Sequence, residues 1–366
     1  MKLKNCDIDQ FYKIIQERPV ICFGAGKGLN NFLDLFYEYN IINRIECIVD
    51  NDLKKTGTKF EYTGNSVPII SFEQFCKIAN NRVVLITTLN YIEIYNQIES
   101  SRIPCDVYIY RYIISESNSH FWKSESNIFN SCSSEIIPKV IHYCWFGKND
   151  LSDLNKECLE SWKRYCPDYE IIQWDESNYN FKDNKYAYEA YKNEKWAYVA
   201  DVARFDIMYK YGGIYLDTDV EVLRCLDTLR MQKGFFGTFF SGEINSGLGF
   251  GAIPKQKIIL QLKNMYDEYQ FTYSENATEL QPCTQKETYF FEKKGYKKRK
   301  GYQNIEGFSI YTNEVLQNIC WDTGRTFVSE KTYTIHHSNS SWRSNKDKEK
   351  MHQNYLFWMN HLKNCN

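Results

Sequence analysis

Apolar residues follow two rhythms along this chain, and the switches between them mark out its elements. In the first third, short apolar runs at 19–23, 45–49, 83–87 and 107–110 read as strands. Between them, residues 28–39, 72–79 and 91–98 carry apolar side chains three and four apart, the spacing of a helix that buries one face. Strands alternating with helices predict a parallel sheet covered on both faces. The period then vanishes. Residues 115–135 are dominated by Ser, Asn and Glu and read as a linker, with Phe121, Trp122 and Phe129 expected to pack along whatever follows.

The pattern resumes at Ile136. Residues 136–147 form a strand ending in a glycine turn, 151–165 a helix with Leu154, Cys158, Leu159 and Trp162 on one face, and 169–174 a second strand. The fold class expected is therefore α/β in two domains, with a Rossmann-like parallel sheet at 1–114, a linker at 115–135 and a second α/β domain at 136–366. Ligands of open α/β sheets bind at the carboxyl ends of the strands. The turn after His142 and Trp145 is thus where a nucleotide base is expected, with Trp145 stacking on it; core filling is the alternative for this tryptophan.

The densest stretch runs from Trp196 to Val222. Trp196, Val199, Ala200, Ala203, Ile207 and Tyr211 make one helical stripe, while Asp201 and Arg204, three apart, are neighbours on the helix surface. Gly212-Gly213 supplies the positive φ that ends such a helix. From Ile214 the period becomes two, with Ile214, Leu216, Thr218, Val220 and Val222 on one side and Tyr215, Asp217, Asp219 and Glu221 on the other. That alternation aims Asp217 and Asp219 the same way, so one hard cation, Mg²⁺ or Mn²⁺, can bridge them. Taken alone, an Asp-x-Asp is most often a solvated strand face.

Further on, 235–240 reads as a buried strand, followed by a polar loop in which Asn245 and Ser246 either meet a ligand or simply join two strands. Residues 254–269 have helical spacing, whereas 278–288 offer few cues. The basic run 293–300 is either a solvated face or an attraction to an anionic membrane surface. Residues 333–342 alternate like a strand, so the adjacent His336 and His337 point to opposite sides and at most one faces a cation. A last helix, 346–362, carries Tyr355, Trp358, Met359 and Leu362 on an apolar face expected to pack back on the core.

Composition narrows the function classes. A net charge of −1 gives no global field for nucleic acid. No apolar run reaches the length of a membrane span, and the start has no signal-peptide core. The 13 cysteines include no Cys-x-x-Cys pair and are odd in number, which suits reduced thiols and a cytoplasmic protein, peripheral at most on the inner face of a membrane. Oligomeric state leaves no mark in the sequence.

The turn Gly24-Ala-Gly-Lys-Gly28, with Asp50 about twenty residues on, approaches a dinucleotide fingerprint, but the third glycine position is Leu29 and Gly28 falls one residue early. That departure weakens the expected close helix–strand packing and NAD binding. Residues 1–114 also lack a Tyr-x-x-x-Lys pair. Through GAGKG, VDNDLKKTG and VPIISFEQF the segment resembles the small Rossmann-like domains appended to bacterial polysaccharide-biosynthesis enzymes, such as the N-terminal part of sugar O-acyltransferases.

The stretches IPKVIHYCWFG, SWKRYCPDYEIIQWDE and ADVARFDIMYKYGGIYLDTDV together resemble the bacterial and fungal glycosyltransferases with a DXD sugar-binding motif, glycosyltransferase family 32. They are more distantly similar to the glucosyltransferase domains of large clostridial toxins. The family's usual Ser-Asp pair is Ala200-Asp201 here. The resemblance implies a GT-A fold, retention of anomeric configuration, a nucleotide diphosphate sugar donor (UDP-sugar favoured) and Mn²⁺ or Mg²⁺. It implies that Asp201 and Arg204 contact the donor sugar and ribose, that Asp217 faces the ribose or the metal's water shell, and that Asp219 ligates the metal. His142, Trp145, Asn245 and Ser246 are further expected donor contacts. From the C-terminal His-His…Ser-Trp element, it implies that His337 and Ser340 ligate the metal, with His336 as substitute, and that Trp342 donates its indole N–H to the diphosphate. Thr284 and Gln285 fall where a loop faces the acceptor. The expected role is transfer to a glycan or lipid-linked glycan in capsule, lipopolysaccharide or a related bacterial surface polymer. The competing readings are a nicotinamide-dependent sugar-modifying enzyme run by the first domain, and a catalytically silent nucleotide-sugar-binding scaffold.

Overall fold

A computed structural model of the chain describes residues 1–117, 136–272, 282–298, 300–317, 319, 326–338 and 345–362. These fall into two compact units, the first made of 1–117 with 345–362, the second of 136–319 with 326–338.

The first unit runs Lys2–Leu3 (β1), Ile8–Glu17 (α1), Val20–Phe23 (β2), Lys27–Leu35 (α2), Ile45–Val49 (β3), Lys59–Tyr62 (β4), Asn65–Ile70 (β5), Phe72–Ile78 (α3), Val83–Ile86 (β6), Tyr91–Ser100 (α4), Asp106–Ile109 (β7) and Tyr110–Glu116 (α5). Its strands lie in the order β1-β7-β6-β2-β3-β5-β4, all neighbours parallel except the β4–β5 hairpin. The chain starts from β2 in the middle and winds outward both ways, the doubly wound arrangement that the alternating pattern predicts. Gly28 resolves the glycine question: a Cβ there would sit 2.0 Å from the Thr87 carbonyl oxygen. The close helix–strand approach that Leu29 appeared to forbid is made one residue earlier. Asp50 is spent within the turn, accepting from the Ala25 N–H at 2.9 Å and pairing with Lys55 at 3.0 Å.

Two boundaries differ from expectation. Helix α5 runs to Glu116, and Ser117 ties its end to α1 by accepting the Ile8 N–H at 2.7 Å, so the start of the expected linker is structured. The terminal helix Asn345–His361 belongs to the first unit, not the second. Its Phe357, Trp358 and Leu362 are buried in that unit's core, with Phe357 packed edge-on against Tyr91 and Tyr95 of α4. An apolar face on a helix says that something covers it, and nothing about what does.

The second unit runs Val140–Cys144 (β8), Asp153–Tyr165 (α6), Glu170–Trp174 (β9), Lys185–Lys192 (α7), Trp196–Tyr211 (α8), Gly213–Tyr215 (β10), Val220–Val222 (β11), Gly234–Gly237 (β12), Phe250–Ala252 (β13), Lys257–Glu268 (α9), Cys283–Glu292 (α10), Gln303–Ile305 (β14), Phe308–Tyr311 (β15), Asn313–Leu316 (α11) and Thr334–His336 (β16). Among the described residues its mixed sheet has the order β14-β15-β12-β13-β10-β8-β9, and β11 pairs separately with β16. The βαβ opening appears as expected, with β8 parallel to β9. Helix α8 is more than amphipathic: every residue from Tyr198 to Met208 is buried, as in a helix at the centre of a core. It stops at Gly212 and Gly213, both at positive φ. A Cβ on Gly213 would meet the Val140 carbonyl at 2.7 Å, so glycine lets β10 lie close to β8.

Candidate active site

The acid pair is not on a pleated strand. β10 ends at Tyr215 and β11 begins at Val220, and between them Asp217 and Asp219 stand in a turn closed by the Val220 N–H donating to the Asp217 carbonyl at 3.0 Å. The buried Thr218 hydroxyl between them accepts from Asn155 Nδ2 at 2.6 Å, which anchors the turn to α6. The two carboxylates converge because the chain bends there, and not through the period of two that a strand would give.

The pairing of β11 with β16 decides which histidine joins them. The register sets His336 opposite Val220, and the His337 N–H donates to the Asp219 carbonyl at 2.9 Å. His336 Nε2 then lies 3.2 Å from Asp219 Oδ1, and one ligand atom from each of Asp217, Asp219 and His336 falls within 4.8 Å of the others. His337 points to the opposite side, with Nε2 2.9 Å from Glu221 Oε2. His336, and not the expected His337, therefore stands beside the two acids. Ser340 and Trp342 lie outside the described residues. Two carboxylates and an imidazole fit a divalent cation, and the nitrogen favours Mn²⁺ over the all-oxygen habit of Mg²⁺. Burial pulls the His336 imidazole down, but the Asp219 and Asp217 carboxylates outweigh it and hold the pKa above its ordinary value.

Behind this cluster lies Arg204, 3% exposed, with its donors spent in four directions. Its Nη2 is 3.1 Å from Asp201 Oδ1 and 3.3 Å from Asp217 Oδ1. Nη1 donates to Ser246 Oγ at 2.8 Å, Nε donates to the Ala200 carbonyl at 3.2 Å, and the guanidinium lies over the Tyr215 ring at 5.0 Å. Asp201 is equally buried, so of the Asp201–Arg204–Asp217 triad only Asp217, with 31% of its side chain exposed, opens to solvent. Burial raises the Asp217 carboxyl against the pull of Arg204. The triad thus works as a cation clamped between carboxylates that sets where Asp217 stands.

Asn245 and Ser246 are both buried here. Asn245 Oδ1 accepts the Gly247 N–H at 2.8 Å, and Gly247 lies so close that a Cβ on it would be 2.4 Å from Asp217 Oδ2. Ser246 donates its hydroxyl to Glu287 Oε1 at 2.6 Å and its backbone N–H to Glu287 Oε2 at 2.8 Å. Burial pushes the Glu287 carboxyl up to about 8, against the pull of Arg204 and of the Ser246 bonds. Beside it, Lys286 donates to the Tyr186 hydroxyl at 2.8 Å within a cage of the Tyr186, Tyr266 and Tyr269 rings, and burial lowers its pKa.

Lys286 and Glu287 come from α10, which was not foreseen. Its signal was present: Pro282, then Cys283, Lys286–Glu287 and Phe290–Phe291 at helical spacing, but two charged residues on the inward face hid it. Thr284 and Gln285 occupy its first turn, with Gln285 exposed and Thr284 half-buried.

His142 does not join the cluster. It is fully buried in β8, where Nδ1 accepts the Trp174 indole N–H at 3.1 Å and Nε2 donates to the Gly212 carbonyl at 2.9 Å. Burial pulls its pKa down to about 4, so it is a neutral strut spending both nitrogens on the fold. Trp145 is half-buried and donates its indole N–H to the Asn149 carbonyl at 2.6 Å.

Comparison with known proteins falls on this same unit. Residues 152–236 match the family model described as glycosyltransferase sugar-binding region containing DXD motif, a span that holds Asp201, Arg204, Asp217 and Asp219. The matched span lies within the second unit. Among similar proteins, inositol phosphoceramide mannosyltransferase 3 of Schizosaccharomyces pombe is 34% identical over 152 residues, 39% of this chain and 41% of that protein. Mannosyl phosphorylinositol ceramide synthase SUR1 of Saccharomyces cerevisiae is 31% identical over 144 residues, 37% of each chain. The chain thus spans 37–41% of the length of these relatives. A solved structure, PaToxG Glycosyltransferase, aligns with a TM-score of 0.36 and 19% identity over 50% of this chain and 78% of that one. The relatives are fungal and named for sphingolipid substrates, so the expected setting in bacterial capsule or lipopolysaccharide finds no support among them.

Proposed function

We propose that the second unit is a retaining, GT-A-type glycosyltransferase, which moves a hexosyl group from a nucleotide diphosphate donor to a hydroxyl of a glycan or lipid-linked acceptor. The observation that carries this reading is the convergence of Asp217, Asp219 and His336 inside and beside the matched sugar-binding region. Asp217, Asp219 and His336 would hold Mn²⁺ or Mg²⁺. A bound divalent ion supplies Lewis-acid stabilisation of the leaving diphosphate. Arg204, clamped by Asp201, fixes the Asp217 carboxylate at the open rim, so that orientation is in place before the donor arrives. The indole of Trp145 offers a half-buried aromatic face near the carboxyl end of β8, the position for a base.

Both relatives bear mannosyl names, so a mannosyl donor stands beside the UDP-sugars, and an inositol phosphoceramide beside a glycan as acceptor. A lipid acceptor gives the basic run a use. Lys294 pairs with Glu306 and Lys298 lies 3.7 Å from Glu292, while Lys293, Lys297 and Lys300 are exposed to a surface that an anionic bilayer would complement.

The test is nucleoside diphosphate release from UDP-glucose, UDP-galactose, UDP-N-acetylglucosamine and GDP-mannose with Mn²⁺, with and without an inositol phosphoceramide acceptor. Release from one donor, abolished by EDTA and by Asp219→Ala, supports the transferase. Absence of both release and UDP or GDP binding in the folded, Mn²⁺-loaded protein refutes it.

A further inference from the structure

Helix α10 grips the loop beside the acid pair at two points. Glu287 takes the hydroxyl and the N–H of Ser246, and two residues back the Ile244 N–H donates to Thr288 Oγ1 at 2.9 Å. Glu287 is fully buried, and each of its carboxylate oxygens accepts one proton from the same serine. A helix packing its inner face into a core has no need of a buried carboxylate, since an apolar residue of similar volume would serve it as well or better. The carboxyl therefore has another use, and its hydrogen bonds show which. Arg204 can only donate, so Ser246 Oγ accepts from Nη1, and while Glu287 is ionised the serine sends its own proton to it. The carboxylate thereby fixes the polarity of the hydroxyl and, with it, the third anchor of the guanidinium.

We propose that Glu287 is a positioning residue for sugar transfer, which orients Arg204 through Ser246 and so sets the edge that Arg204 and Asp217 present to the donor. This rests on the transferase reading above. An amide cannot take over. With its oxygen on Ser246 Oγ, a glutamine NH₂ faces the Ser246 N–H, donor against donor. Turned over, it donates to Oγ, and the serine proton loses its place between Glu287 and Arg204. Both arrangements loosen one of the anchors of Arg204, and a misplacement of about 1 Å in an ordered site costs on the order of 100-fold in rate.

The experiment uses the full chain above pH 8, where Glu287 is ionised, and whichever of the four donors the wild type turns over. Glu287→Gln is expected to lower kcat at least tenfold per nucleotide-binding site, counted by calorimetry, with the donor KM within about threefold. Ser246→Ala should do the same, and the double variant should be no slower than the slower single, because both break one relay. Glu287→Gln within twofold of wild type, or losses that multiply in the double variant, would overturn the proposal while leaving the transferase intact. Should Glu287→Gln fail to fold, Ser246→Ala decides alone, and a rate within twofold of wild type overturns the relay. Absence of turnover and nucleotide binding in the wild type removes the transferase reading and the relay with it, before any α10 variant is compared.

Discussion

Gly247→Ala tests the site at its tightest point. Gly247 is not at positive φ, so an added methyl brings no backbone strain, only a collision. That methyl would lie 2.4 Å from Asp217 Oδ2 and 3.1 Å from Asn245 Oδ1, whereas ordinary contact begins at 3.4 Å. Asp217 must therefore retreat by about 1 Å or rotate away from its place beside Asp219, a displacement that costs on the order of 100-fold in rate when it moves a positioned catalytic group. The assay is Mn²⁺-dependent release of nucleoside diphosphate, with Mn²⁺ affinity and thermal unfolding measured on the same preparation. Gly26→Ala is the comparison, since nothing lies within 4 Å of a Cβ there, and it should turn over as wild type does. A folded Gly247→Ala protein with wild-type rate and Mn²⁺ affinity would show that the position of Asp217 is irrelevant to the chemistry, and the site reading would fall.

The two histidines separate cleanly. His336→Ala should weaken Mn²⁺ binding at least tenfold, since even the outer partners of metal ligands are worth 10–100-fold, whereas His337→Ala should stay within about twofold; isothermal titration with Mn²⁺ on both variants decides, and the reverse order would restore His337 as the ligand. His142 makes a prediction about acid stability. Its pKa falls from 6.5 to about 4 on folding, so between those values the unfolded chain binds the extra proton and stability is lost as pH falls through that window, by at most ~3 kcal/mol. Denaturant unfolding from pH 7 to pH 4 should show a shallower loss in His142→Gln, and parallel curves would refute the neutral-strut assignment.

Much of this protein is legible in its sequence. Periodicity alone located β2, β3, β6 and β7 with α2, α3 and α4 in the first unit, because parallel strands and their covering helices keep uniform apolar runs and stripes. It also located the β8–α6–β9 opening and the helix bearing Asp201 and Arg204. The nomination of Asp217 and Asp219 rested on residue type and spacing together with the family resemblance of the surrounding stretches. What the sequence withheld depends on contacts between distant segments. Whether His336 or His337 meets the acids turns on the register of β11 against β16, where a one-residue slip exchanges the two faces. The terminal helix is amphipathic wherever it docks, so its place in the first unit comes from Tyr91 and Tyr95, some 260 residues upstream. Glu287 reads locally as one more surface charge, and only a fold that carries α10 against the Ser246 loop makes it a buried partner of Arg204. Local rules determine which elements form and which residue types they carry; the pairing of side chains far apart in the chain is decided by packing, because each such contact is favourable only once the rest of the fold holds both partners in place.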